Sequence, residues 1–70
     1  MKYTIRIAID EKLEELGKTR YWLSKQAGIA YQTIDNYYKN KVTRYEAETI
    51  LKICLALDCQ AGDIIKIVKN

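Results

Sequence analysis

Seventy residues with a formal net charge of +3 suffice for one hydrophobic core and exclude a second, so a single domain over residues 1–70 is expected. Hydrophobic residues make up 49% of the chain, proline is absent and the only glycines are at 17, 28 and 62, which excludes a disordered tail and leans to an all-α fold of strong helix formers. No apolar run reaches the roughly 18–20 residues of a membrane span and the N-terminus lacks a secretory signal, so no membrane partner and a cytoplasmic location are expected.

Residues 3–9, YTIRIAI, alternate, with Tyr3, Ile5, Ile7 and Ile9 on one side and Thr4, Arg6 and Ala8 on the other. This period predicts a short strand near 3–7. It passes into a helix over about 9–16, closed by Gly17, where left-handed geometry suits glycine. Thr19 is placed to cap a second helix, whose buried stripe is Trp22, Leu23 and Ala27 and which Gly28 breaks. Ile29 returns to the core. A third helix is expected from Tyr31 to about Lys39, with Ile34 and Tyr37 inward, Gln32, Thr33, Asp35 and Asn36 outward, and Tyr31 and Tyr38 exposed.

After the basic turn KNKV, Thr43 and Glu46 have the spacing of a capping box. It predicts a fourth helix from about Arg44 to Leu57, with Ala47, Ile50, Leu51, Cys54 and Leu57 on one buried face. Cys54 and Cys59 are the only cysteines and histidine is absent, so one chain cannot assemble the usual four-ligand zinc site. Both are read as reduced, partly buried core thiols, and neither metal nor cofactor is expected. Residues 60–64 predict one more helical turn, with Asp63 near its positively polarised start. The β-branched tail IIKIVK predicts a terminal strand, which needs the N-terminal TIRI as a partner.

Two short helices joined by a glycine-containing turn form a helix-turn-helix unit, here spanning about 19–39. Ser24 supplies the small residue where the helices cross and Gly28 the turn. Leu23, Ala27, Ile29, Ile34 and Tyr37 fill the apolar slots. Charge concentrates in the same region: residues 17–45 hold six basic side chains and one acid, a net +5, while the remaining segments hold six basic and eight acidic, a net −2. Such a patch suits a phosphate backbone.

The stretch TRYWLSKQAGIAYQTIDNYYKNK, followed by ETILKICLALDCQAGDII, resembles the phage repressor and Cro-type helix-turn-helix family (the Xre group), in its small single-domain bacterial branch, over roughly residues 9–66. The resemblance implies a five-helix, double-stranded-DNA-binding transcription regulator, usually a two-fold homodimer. To that fold the sequence adds the short terminal β-strands, paired to each other or across a dimer. Carried over by position, the base-reading residues are Tyr31, Gln32 and Asn36, with Thr33 and Asp35 as additions. The phosphate-binding residues are Thr19 and Arg20 at the start of the second helix and Lys39, Asn40, Lys41 and Arg44 in the loop after the third.

Asp35 has three readings: it accepts from a cytosine amino group, orients a neighbouring basic side chain, or rejects wrong bases. The chain departs from the family pattern at Ala30, which offers no oxygen to cap the third helix, and at Gln60 and Ala61 before the last helix. No nucleophile has a base beside it, and an enzyme is not expected. The alternative is an antitoxin-like or adaptor module that uses the same fold to bind protein, with the isoleucine-rich terminal strands as its docking edge. A homodimer is expected to form through the C-terminal helix and terminal strands.

Overall fold

The computed structural model describes residues 2–69. The chain runs β1 (Tyr3–Ile7), α1 (Ile9–Leu16), α2 (Arg20–Ala27), α3 (Tyr31–Tyr38), α4 (Ala47–Leu57), α5 (Ala61–Ile64) and β2 (Ile65–Lys69). The five helices and two terminal strands are those expected, so the fold is helix-rich rather than strictly all-α; the strands pair antiparallel within the chain, Tyr3 facing Lys69, Ile5 facing Ile67 and Ile7 facing Ile65. At the inner end of the ladder the Ala8 N–H donates to the Ile64 carbonyl (2.6 Å). Neither strand is stable alone, and their union fastens both ends of the chain to the helical core.

Four helices end in left-handed reversals. Gly17, Gly28, Asn40 and Asp58 take φ values of 67°, 68°, 57° and 53°. After α1 the N–H groups of Gly17 and Lys18 return to the Glu14 and Leu13 carbonyls; after α3 those of Asn40 and Lys41 return to Tyr37 and Asn36. After α4 those of Asp58 and Cys59 return to Leu55 and Cys54. These bonds satisfy carbonyls that the helix ends would otherwise leave open. Asparagine and aspartate are the side-chain-bearing residues that best tolerate this geometry, which explains why reversals at 40 and 58 need no glycine.

The core gathers Ile7, Ile9, Leu23, Ile34, Ile53 and Ile64, all fully buried, with Leu13, Tyr37, Cys54 and Leu57 around them. Truncating such a residue to alanine costs roughly 2–5 kcal/mol. α4 departs from expectation twice. It starts at Ala47, and its N-cap Glu46 makes no side-chain cap bond, so Thr43 and Glu46 form no capping box. Instead the Glu46 N–H donates to the Tyr37 hydroxyl (3.3 Å), which draws residues 41–46 into an irregular loop. α4 packs on α2 and α5 through Ile53, Cys54 and Leu57, while Ala47 and Leu51 face out and Ile50 is half-buried. Leu51 is 57% and Leu55 71% exposed, so this helix carries a second apolar face.

α5 has no serine or threonine cap, yet its start is closed: the Gln60 N–H donates to the Asp63 carboxylate (2.9 Å). Cys54 and Cys59 are free thiols, buried and half-buried, and burial raises both above the ordinary thiol range. Among the described residues no helix is long and apolar enough to cross a membrane.

Asn40 does more than end α3. Its Oδ1 accepts from the Ile7 N–H (2.6 Å) and its Nδ2 donates to the Ile7 carbonyl (3.2 Å), so the side chain pairs with β1 as a neighbouring strand would. Asn40→Ala is expected to cost about 2–4 kcal/mol in urea denaturation, from two buried backbone groups left unpaired plus left-handed strain. Asn40→Gly, which relieves the strain but still lacks the amide, is expected to cost less; equal losses would show that the strain is negligible.

Candidate nucleic-acid interface

The presentation of α3 is set by the turn before it. Gly28 reverses the chain, the Ile29 N–H donates to the Ser24 carbonyl (3.1 Å) and the Ser24 hydroxyl donates to the Ile29 carbonyl (2.7 Å). Ser24 is buried, so position 24 needs a side chain that is both small and hydrogen-bonding. Thr19 caps α2, its Oγ1 accepting from the Trp22 N–H (3.0 Å). Ala30 supplies no such oxygen to α3, but its carbonyl accepts from Thr33 (3.0 Å) and Ile34 (3.2 Å). The helix therefore begins at Tyr31 without a side-chain cap, and Ile34 and Tyr37 anchor it from behind.

On the outer face of α3, Gln32 is exposed and Asn36, one turn on, is half-buried. The Gln32 Nε2 donates to the Asn36 Oδ1 (3.1 Å). This contact leaves the Gln32 carbonyl oxygen as an acceptor and the Asn36 amide nitrogen as a donor for other partners. Tyr31 is exposed at the start of the helix and Thr33 is half-buried.

Asp35 does not face out as expected. It is buried, its Oδ1 accepting from Arg20 Nη1 (2.7 Å) and its Oδ2 lying 3.1 Å from Lys39 Nζ. The hydrogen bond from Lys39, and after it the one from Arg20, hold its carboxyl below the ordinary value of 3.8 against the opposing effect of burial. With both oxygens engaged, the carboxylate is not available to a base; of the three readings the geometry fits the orientation of basic side chains. The Arg20 guanidinium also stacks over the Tyr38 ring, 4.5 Å from its centroid. Tyr38, expected to be exposed, is accordingly half-buried.

The expected phosphate-binding residues divide in the same way. Lys39, Lys41 and Arg44 are exposed, and among the described residues Lys41 and Arg44 form no ion pair. The Asn40 side chain is corrected: both ends of its amide are bonded to Ile7, so it is not free for a phosphate. The Thr19 hydroxyl serves as the α2 cap. Beside Thr19 and Arg20, Asp10 and Glu14 line the same hollow, so the open positive surface runs from Arg20 toward Lys39 and the 41–44 loop. Sequence reasoning allowed Asp35 a basic neighbour without naming Arg20 and Lys39, and it missed the Asn40 tie to β1. The helical spacing of Asp35 and Lys39 was a signal for the first; no local pattern signalled the second.

The Cro/C1-type helix-turn-helix DNA-binding domain matches the sequence over residues 8–70. No curated protein matches it. Among solved structures, a candidate DNA-binding protein from Bacteroides fragilis superposes with a TM-score of 0.77 at 24% identity, covering 90% of this chain and 100% of that one. The transcriptional regulator VanUg superposes with a TM-score of 0.78 at 21% identity, covering 100% of this chain and 92% of that one. At these identities the likeness is one of fold.

The Asp35 cluster has a pH signature. A carboxyl whose folded value is depressed adds stability that is present above its ordinary value of 3.8 and lost as pH falls through the lower folded value. Wild type and Asp35→Asn are expected to differ in urea midpoint near neutral pH and to converge toward about pH 2. A gap that stayed constant down to that pH would show that the charge of Asp35 contributes nothing.

Proposed function

Since the chain belongs to the Cro/C1-type helix-turn-helix DNA-binding family, we propose that it is a sequence-specific, double-stranded-DNA-binding transcription regulator that lays α3 along the major groove. The observation that carries this reading is the Gln32–Asn36 amide pair on the outer face of α3, followed in the chain by the exposed cations Lys39, Lys41 and Arg44. The acceptor and donor that this pair leaves over complement the donor and acceptor of an adenine edge. Tyr31 packs on a thymine methyl and Thr33 lies at the margin of the contact. Lys41 and Arg44 meet phosphates directly. Arg20 and Lys39 do so while oriented by Asp35, and the start of α2, capped by Thr19, offers its first N–H groups to the backbone.

A domain of this size covers little DNA, so useful specificity calls for two copies on half-sites about 34–36 Å apart. The apolar face of α4, with Leu51 and Leu55 outward, suits a second copy of the chain. Catalysis has no part in this reading.

Gln32→Ala is expected to weaken the best site by roughly 1–3 kcal/mol and to relax one base position, whereas Lys41→Ala weakens all sequences alike and lowers the salt slope by about one. Both are read by fluorescence anisotropy on a site selected from random DNA, at two salt concentrations. Affinity indifferent to salt would overturn phosphate clamping. Leu55→Glu is expected to shift sedimentation at micromolar protein toward monomer; an unchanged profile would move the dimer contact off α4.

A further inference from the structure

The two-stranded sheet has an edge that the helix-turn-helix reading does not use. The N–H and C=O of Ile7 both point at Asn40, away from β2. Backbone groups alternate in direction along an antiparallel strand, so those of Ile5 and Tyr3 point to the same outer side, where no further strand follows. Asn40 thus fills the first rung of a missing neighbour and leaves the next two open. Beside this edge runs an apolar groove floored by Tyr3, Ile5 and Ile67 and walled by Val42 and Tyr45. Tyr3, Ile5 and Ile67 are 56%, 46% and 75% exposed. Lys69 faces Tyr3 across the ladder, Lys2 adjoins Tyr3 in the chain, and Lys41 and Arg44 adjoin Val42 and Tyr45; all four are exposed and among the described residues form no ion pair.

We propose that the outer edge of β1, together with the 42–45 loop, is a docking groove for an extended peptide segment of another protein, with alternating apolar side chains and acidic flanks, which adds to the sheet as a third strand. Backbone bonds at Tyr3 and Ile5 supply the pairing, the groove takes the apolar side chains and the four cations meet the acidic flanks. A second copy of this chain fits the edge less well. Two-fold pairing of β1 with itself would bring Lys2 of each copy toward Arg6 of the other, and Asn40 limits the ladder to two rungs. The inference does not depend on the DNA-binding reading, and its test uses protein without DNA.

The probes are three synthetic strand peptides of alternating isoleucine and threonine: one flanked by glutamates, one flanked by lysines, and a glutamate-flanked version N-methylated on alternate amides. Amide exchange and chemical shifts of the protein are followed by NMR during titration. The glutamate-flanked peptide is expected to protect the Tyr3 and Ile5 amides, and to bind about tenfold or more tightly than the lysine-flanked peptide. The peptide N-methylated on the amides facing β1 is expected not to bind. Ile5→Pro removes one outward N–H without touching the ladder to β2 and is expected to abolish binding; Ile67→Lys, on the groove floor, is expected to weaken it without altering β1. Equal binding of all three peptides, shifts confined to α4, or no protection at saturating peptide would each overturn the proposal. Protection of Tyr3 and Ile5 that rises with protein concentration in the absence of peptide would overturn it in favour of a second copy.

Discussion

The candidate face is held by a left-handed reversal at a residue whose side chain is also a strand partner. At Asn40 the chain must stop α3, and the backbone bonds back to Tyr37 and Asn36 do so. The same residue then grips both backbone groups of Ile7, which ties the end of α3 to the terminal sheet. Glycine would provide the reversal but not the grip. A larger amide would reach differently, and aspartate could not donate to the Ile7 carbonyl. The end of α3, the start of the basic loop and the position of β1 therefore depend on a single side chain, and its cost in left-handed backbone is small because asparagine tolerates that region.

Electrostatics organises the other end of the face. Arg20 opens α2 and Lys39 closes α3, and between them lies one buried carboxylate. Two cations this near would repel one another and roam; Asp35 gives both a common anchor while leaving each a solvent-facing side for an anion. The sole acid among residues 17–45 does not dilute the positive surface so much as fix its geometry. Tyr38 adds a ring beneath the Arg20 guanidinium, which limits that long side chain further.

Two groups of exposed apolar residues differ in kind. On α4 the group is a helix face, Leu51 and Leu55, suited to another helix. On the sheet it is a strip beside open backbone groups, suited to an extended chain. A small domain has too little interior to bury all its apolar residues, but the two most exposed, Ile67 and Leu55, each belong to a group, and grouped apolar surface marks places where partners bind.

Much of the architecture was legible in the sequence. The alternation of residues 3–7 and the β-branched tail gave both strands, because a strand's period shows in its residues; Gly17, Gly28 and Thr19 marked three helix boundaries, because caps demand particular local chemistry. The helix-turn-helix slots from Ser24 to Tyr37 fixed which side of α3 faces inward at Ile34 and Tyr37. What only the tertiary structure decided involves residues distant in sequence. α4 is apolar on most of its circumference, so its buried side at Ile53 was chosen by where α2 and α5 pack. The Thr43–Glu46 spacing gave way to the Tyr37 hydroxyl, a competitor from another helix. Asp35 turned inward because Arg20, fifteen residues earlier, waits there, and Asn40 found Ile7 thirty-three residues away. Local propensity is set by neighbours along the chain, whereas the choice among faces and hydrogen-bond partners is made by neighbours in space, which exist only after the chain has folded.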